Sequence, residues 1–231
     1  MKPLLEICTY TVADCLEAQR GGADRIELCS NMHDGGITPS YGTVKTIRKH
    51  INIGMNVMIR PRGGNFVYNE YEIQIMLDDI RMAKHCGADG LVFGCLTSDG
   101  EIDTDVCKRL LDEANPLPVT FHRAFDECNN PCRALEQIIN AGFVRLLTSG
   151  QRRTAEEGIM LLQQLVLQAA NRIIIMPGSG ITPNNIVKIA CETHASEFHT
   201  SAQLVRGKGS DASIVAQCVE KIKNITYGNI Q

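Results

Sequence analysis

The sequence predicts an α/β protein, a single (β/α)8 TIM barrel over residues 1–231. Three observations carry that prediction. Short apolar runs alternate with longer helical stretches from end to end, eight of each, and strict alternation means a parallel sheet. The 231 residues are 44% hydrophobic, enough for one large core, and no Pro/Ser/Gly-rich linker divides them. A glycine-then-strand junction recurs every second unit, at Gly22-Ala23-Asp24, Gly87-Ala88-Asp89 and Gly142-Phe143. A doubly wound eight-stranded sheet is the competing arrangement; strand count and length favour the closed barrel.

The strands are expected to begin near Leu4, Ala23, Ile53, Ala88, Leu117, Phe143, Arg172 and Ala195. Seven helices are expected between them, over Val12–Arg20, Tyr41–His50, Glu70–Cys86, Asp105–Ala114, Cys132–Ala141, Ala155–Ala170 and Asn184–Cys191. A last helix runs from Ala212 to about Asn224. Their starts carry capping or proline signals at Thr38-Pro39-Ser40, Asn130-Pro131 and Thr182-Pro183. Their ends carry glycine at Gly21-Gly22, Gly87 and Gly142.

Composition excludes several function classes. A net charge of −3 and the absence of Trp argue against nucleic acid and anionic membranes as partners. No run of 18 apolar residues is present, so no membrane helix is expected. The N-terminus reaches Glu6 too early for a secretory apolar region, which points to a cytoplasmic protein. The 10 cysteines are then reduced thiols, most of them packing as small hydrophobes. Residues 159–170 are apolar nearly all round, which suggests a homo-oligomer contact.

Alternation within the strands is the informative pattern. Successive strand residues point to opposite faces. In Leu4–Cys8, Arg25–Cys29, Val57–Arg60, Val119–His122 and Glu197–Ser201, one face is aliphatic or aromatic and the other carries Glu, Cys, Arg, Thr and His. A charged inward face requires partners, water or a ligand. In this fold the site lies at the C-terminal strand ends.

Glu6 and Glu27 occupy equivalent strand positions. As neighbours they share a proton, bind a cation or pair with arginine, or else they fill the barrel as an ion-pair network with Arg25, Arg60 or Arg62. Arg25 opens its strand and is expected in a structural pair low in the barrel with Glu197. Cys8 and Cys29 lie two residues further along. Adjacent strands are about 4.8 Å apart, so thiols at matching heights can share a soft ion such as Cu(I), or serve as core filler. Arg60 and Arg62 end strand three before Gly63-Gly64, a pair expected to give a mobile loop that could cover the mouth, and suit a carboxylate or phosphate, or a surface salt bridge. His122 ends strand five as base, acid or ligand, with Arg123 beside it. Asp126 is placed to orient His122 or to cap the next helix. His199 and Ser201 share the inward phase on strand eight. Ser149, Gly150, Gly178 and Gly180 leave small residues, and so backbone N–H groups, around an anion site. No lysine falls at an inward strand position, which argues against Schiff-base chemistry.

At these residues the chain resembles the CutC family. The strings that carry the resemblance include Glu6-Ile7-Cys8, Gly21 to Ser30, Gly35 to Ser40, Met58 to Gly64, Gly87 to Gly94, Pro118 to Asp126, Leu147 to Gly150, Met176 to Ile181 and Glu197-Phe198-His199. The resemblance implies a (β/α)8 barrel linked to copper homeostasis, with Cys8 and Cys29 as Cu(I) ligands, and it brings no settled enzymatic activity. One departure is Ser179, where relatives often carry glycine. Two functions stay open: a copper-binding protein, and an enzyme acting on a small anionic metabolite. In the second, Glu6, Glu27, His122 and His199 supply acid and base, and Arg60 and Arg123 hold the anion.

Overall fold

The computed structural model describes residues 3–205, 207–223 and 225. Eight parallel strands follow one another: β1 (Leu4–Thr9), β2 (Arg25–Leu28), β3 (Gly54–Met58), β4 (Gly90–Phe93), β5 (Val119–Phe121), β6 (Arg145–Thr148), β7 (Ile174–Pro177) and β8 (Glu197–Thr200). Each is followed by a helix: α1 (Val12–Arg20), α2 (Tyr41–Arg48), α3 (Glu70–His85), α4 (Thr104–Ala114), α5 (Pro131–Ala141), α6 (Ile159–Ala169), α7 (Ile186–Thr193) and α8 (Ala212–Lys223). The expected (β/α)8 barrel is what the chain forms.

Neighbouring strands pair in sequence from β1 to β7, and β8 pairs with β1. Among the described residues no ladder joins β7 to β8, so the ring closes there by side-chain packing. Gly178 permits that approach, because a Cβ on it would lie 3.4 Å from His199 Cβ and 2.4 Å from a Leu147 methyl.

The alternation fixes what each face does. Outward residues such as Leu5, Ile7, Ile26, Leu28, Phe93 and Phe121 are fully buried against the helices in one continuous core. Inward, a small apolar cluster of Cys29, Met58 and Val92 packs against Cys8 and Tyr10. Several helix starts match their signals. Ser40 caps α2 by accepting from Thr43 N–H, and Asn130 caps α5 with Pro131 at its first position. Two starts differ. α6 begins at Ile159 rather than Ala155, because Gly158 passes so close to β6 that a Cβ there would lie 1.9 Å from the Ser149 carbonyl. α7 begins at Ile186 rather than Asn184, since Asn185 Oδ1 accepts from Thr182 N–H in a preceding turn. The expected end of the last helix, Asn224, lies outside the described residues. No described helix is long and apolar enough to cross a membrane.

Candidate functional site

Register decides which inward groups meet. Glu6 pairs with Arg25 on β2 and with His199 on β8, whereas Cys8 pairs with Glu27. The two glutamates are therefore not at one height, and neither are the two cysteines. Closing a parallel barrel requires a stagger between strands, and here β2 is offset by two residues against β1.

The lower level is an ion-pair network. Arg25 is bonded to both Glu6 and Glu197, as expected for a structural pair. Arg145 Nε donates to Glu197 at 2.6 Å and its Nη1 to Thr120 Oγ1 at 3.0 Å. Asn56 Nδ2 donates to Glu6 at 2.9 Å. Burial would raise the Glu6 carboxyl, but Arg25, the His199 hydrogen bond and Arg145 outweigh it and hold it well below the ordinary carboxylate range. Glu6 is thus engaged as an anion in the ion-pair network with Arg25, one of the arrangements expected of it.

One level up, Cys8, Glu27 and His199 converge, with one ligand atom from each lying within 4.8 Å of the others. His199 Nδ1 is 2.8 Å from Glu6 Oε1, and its Nε2 is 3.6 Å from Glu27 Oε2. Tyr10 Oη lies 3.3 Å from Cys8 Sγ, placed to donate to a thiolate. The neighbouring Cys29 thiol pulls the Cys8 thiol down, burial opposes it, and His199 and Tyr10 add to the lowering, so Cys8 sits well below its ordinary value. Cys29, acting as donor to Cys8 and buried beside Glu27, is pushed up. Burial raises Glu27 well above the carboxylate range despite His199. Burial would strip His199 of its proton, but Glu27, Cys8 and Glu6 around it hold its value well above that of a free imidazole. Within this cluster Cys8 and His199 are driven toward their charged forms, and Glu27 and Cys29 toward their protonated ones. Glu27 Oε1 has no partner among the described residues.

On the opposite wall, His122 Nδ1 accepts from Ala124 N–H at 3.3 Å and its ring stands edge-on to Phe66. Its Nε2 is buried without a partner among the described residues. Burial, with Arg60 and Arg123 nearby, lowers its pKa to about 3, so the ring is neutral. Asp126 neither orients His122 nor caps a helix. It accepts from Thr148 Oγ1, from the Ser149 and Gln151 amides, and from Arg123, tying the end of β5 to β6.

Arg60 lines the cavity but is largely engaged by the protein: it is buried, donates to the carbonyls of Asp34, Gly36 and Gly64, and stacks on Phe66, with Nε left without a partner among the described residues. It ties down the loop after β3, where a mobile glycine loop was expected. Arg62 binds Glu72 and the carbonyls of Gly63, Asn65 and Val67, away from the cavity. Ser149 and Gly150 offer no free amides, because these donate to Asp126 and to Thr148 Oγ1. The Gly178 amide donates to Thr148 O. Gly180 and Ser201 do line the cavity.

The upper level and the His122 wall open into one cavity of about 1130 Å³ at the C-terminal end of the barrel, lined by Cys8, Glu27, His122, Arg123, Asp126 and His199 among others. Sequence reasoning missed Arg145, Tyr10, Arg152 and Arg153. Arg145 carried a usable signal, since like Arg25 it opens a strand in the inward phase. Arg152 and Arg153 lie in a segment expected to lead directly into a helix, and nothing in the sequence brought them to the mouth.

A parallel barrel whose polar groups meet at one mouth defines an α/β protein of the TIM class. The chain belongs to the CutC family, whose family model matches residues 3–204. It is 53% identical over 206 residues to the family protein CutC of Parabacteroides distasonis, covering 89% of this chain and 85% of that one. It is 50% identical over 206 residues to the human copper homeostasis protein cutC homolog, covering 89% and 76%. The crystal structure of CutC from Streptococcus agalactiae superposes with a TM-score of 0.82 at 39% identity, over 86% of this chain and 98% of that one. Phosphoribosylanthranilate isomerase from Thermotoga maritima, at a TM-score of 0.63 and 16% identity over 96% and 100%, shares the fold alone.

Proposed function

We propose that the mouth takes up one Cu(I) ion as cargo in a cytoplasmic copper-homeostasis role, with Cys8 as its first ligand and Cys29 and His199 as the adjoining donors. The observation that carries this reading is the convergence of Cys8, Glu27 and His199 within 4.8 Å at the floor of an open cavity. Thiolate and imidazole are the donors a soft monovalent ion prefers. The names of the human and mouse relatives support the copper assignment. Ten unpaired cysteines suit a reducing compartment, where copper is monovalent. Cys8, partly open to the cavity, would meet the ion first, and the buried Cys29 would follow by giving up its proton. His199 must also lose its proton to ligate, so affinity should rise with pH. Anaerobic titration against a colorimetric Cu(I) chelator tests this. Saturation near one ion per chain is expected, and Cys8→Ser with Cys29→Ser should abolish tight binding. Unchanged affinity in that double variant removes the proposal.

A second reading is favoured by cavity size. About 1130 Å³ is far more than an ion needs and matches a small-molecule pocket. In this reading the mouth is an active site for a small carboxylated or phosphorylated metabolite. Glu27 and the Cys8–His199 pair handle protons, and the unpartnered His122 Nε2–H is a hydrogen-bond donor. Thermal-shift screening of such metabolites tests it, and no stabilisation by any of them counts against it.

A further inference from the structure

The loops after β6 and β7 carry features used by neither the thiol cluster nor the His122 wall. Arg152 and Arg153 are exposed, both line the cavity, and neither guanidinium has a carboxylate or hydrogen-bond partner among the described residues. Elsewhere on the chain arginines such as Arg48, Arg81, Arg109 and Arg172 are paired with carboxylates. Two unpaired guanidiniums thus stand side by side at one opening of a chain of net charge −3. Asp34 and Glu127 are the exposed carboxylates of the same lining, Asp34 accepting from Asn31 Nδ2, and Arg123 is already paired with Asp126.

A second observation points the same way. Ser179 and Gly180 follow one another at φ 76 and 71, both left-handed. A serine there is strained. Their two amides donate to no protein acceptor among the described residues, whereas the amides of Ser149, Gly150 and Gly178 are all occupied. The strained turn is held in place from the arginine loop: Ser179 Oγ donates to Arg153 O at 2.9 Å, and Ala155 N–H donates to Ser179 O at 2.9 Å. Ser149 Oγ in turn donates to Arg152 O at 2.5 Å. Successive free amides in such a turn form a concavity suited to an anion, and bidentate guanidiniums suit the same oxygens.

We infer that Arg152 and Arg153, with the Ser179 and Gly180 amides, form an anion subsite that seats the carboxylate or phosphate of a small-molecule ligand whose other end reaches the Cys8–His199 floor. This rests on the mouth being a ligand site, and it specifies that ligand as an extended anion. Under the copper reading, the anion is a carboxylated carrier that delivers the ion. Under the enzymatic reading, it is the substrate.

The test uses the full-length, copper-free protein, titrated by calorimetry with inorganic phosphate and, separately, with citrate at constant ionic strength. Saturable binding below about 20 mM is expected for at least one probe. The variant with Arg152→Gln and Arg153→Gln should bind about tenfold more weakly. Arg152→Lys with Arg153→Lys should fall between the two, since charge is kept and the fork is lost. A charge-matched control, Lys49→Ala with Lys108→Ala, should bind as the wild type does. Binding of phosphate alone assigns a phosphorylated ligand, and binding of citrate alone a carboxylated one. No saturable binding to the wild type, or equal losses in the Gln variant and the control, overturns the inference. Copper titration of the unaltered protein is a separate measurement, so failure of the copper reading is seen independently.

Discussion

His122 illustrates how burial sets the chemistry of a single residue. Its pKa is pushed from 6.5 to about 3 by burial, with Arg60 and Arg123 adding to the effect. The ring is therefore neutral, with Nδ1 accepting from Ala124 N–H and Nε2–H left without a partner among the described residues. Its ring NMR shifts should stay flat between about pH 5 and 8. The sign of its effect on stability follows. Below the unfolded value the unfolded chain takes up a proton that the folded one refuses, so the contribution of His122 is full above pH 6.5 and is lost as pH falls toward about 3. Thermal melts of wild type and His122→Gln across that window should show the steeper acid loss in the wild type. The inward direction of His122, His199, Glu27 and Cys8 is legible in the sequence because a strand repeats every two residues. Their protonation is not, because it depends on neighbours from other strands.

At the scale of elements, β4 and β5 show how closely backbone must pass to make the wall. A Cβ on Gly94 would lie 2.8 Å from His122 Nδ1 and 2.9 Å from the Phe121 ring. Gly94→Ala should cost about 1–3 kcal/mol in urea denaturation and displace the imidazole. The order and type of the elements follow from apolar periodicity, and caps such as Ser40 and Asn130 can be read locally. What could not be read is height. The stagger that sets Cys8 opposite Glu27, and not opposite Cys29, is a property of the closed ring. The start of α6 was likewise hidden, because it is set by the contact of Gly158 with the Ser149 carbonyl on another element.

Across the whole molecule, the barrel interior is held by charge where a purely structural barrel would use branched aliphatics. Glu197 on β8 spans the lumen to Arg25 on β2 and Arg145 on β6. Glu197→Ala leaves both guanidiniums short of a counter-charge and should cost about 3–5 kcal/mol in denaturant unfolding. Glu197→Gln should cost less. The exposed face of α6 bears on assembly, with Met160 80% and Leu167 57% exposed. If that face carries the expected self-association, sedimentation should show the wild type as an oligomer, and Met160→Glu with Leu167→Glu should shift it toward monomer.

The unladdered seam between β7 and β8 also bears on how the chain is made. Cys8 and Glu27 emerge from the ribosome well before the counter-ion Glu197 and His199. A nascent chain therefore holds a thiol and a carboxyl with no imidazole beside them, and Arg145 waits without its carboxylate. The cluster of Cys8, Glu27 and His199 is complete only once the eighth strand slots against the first.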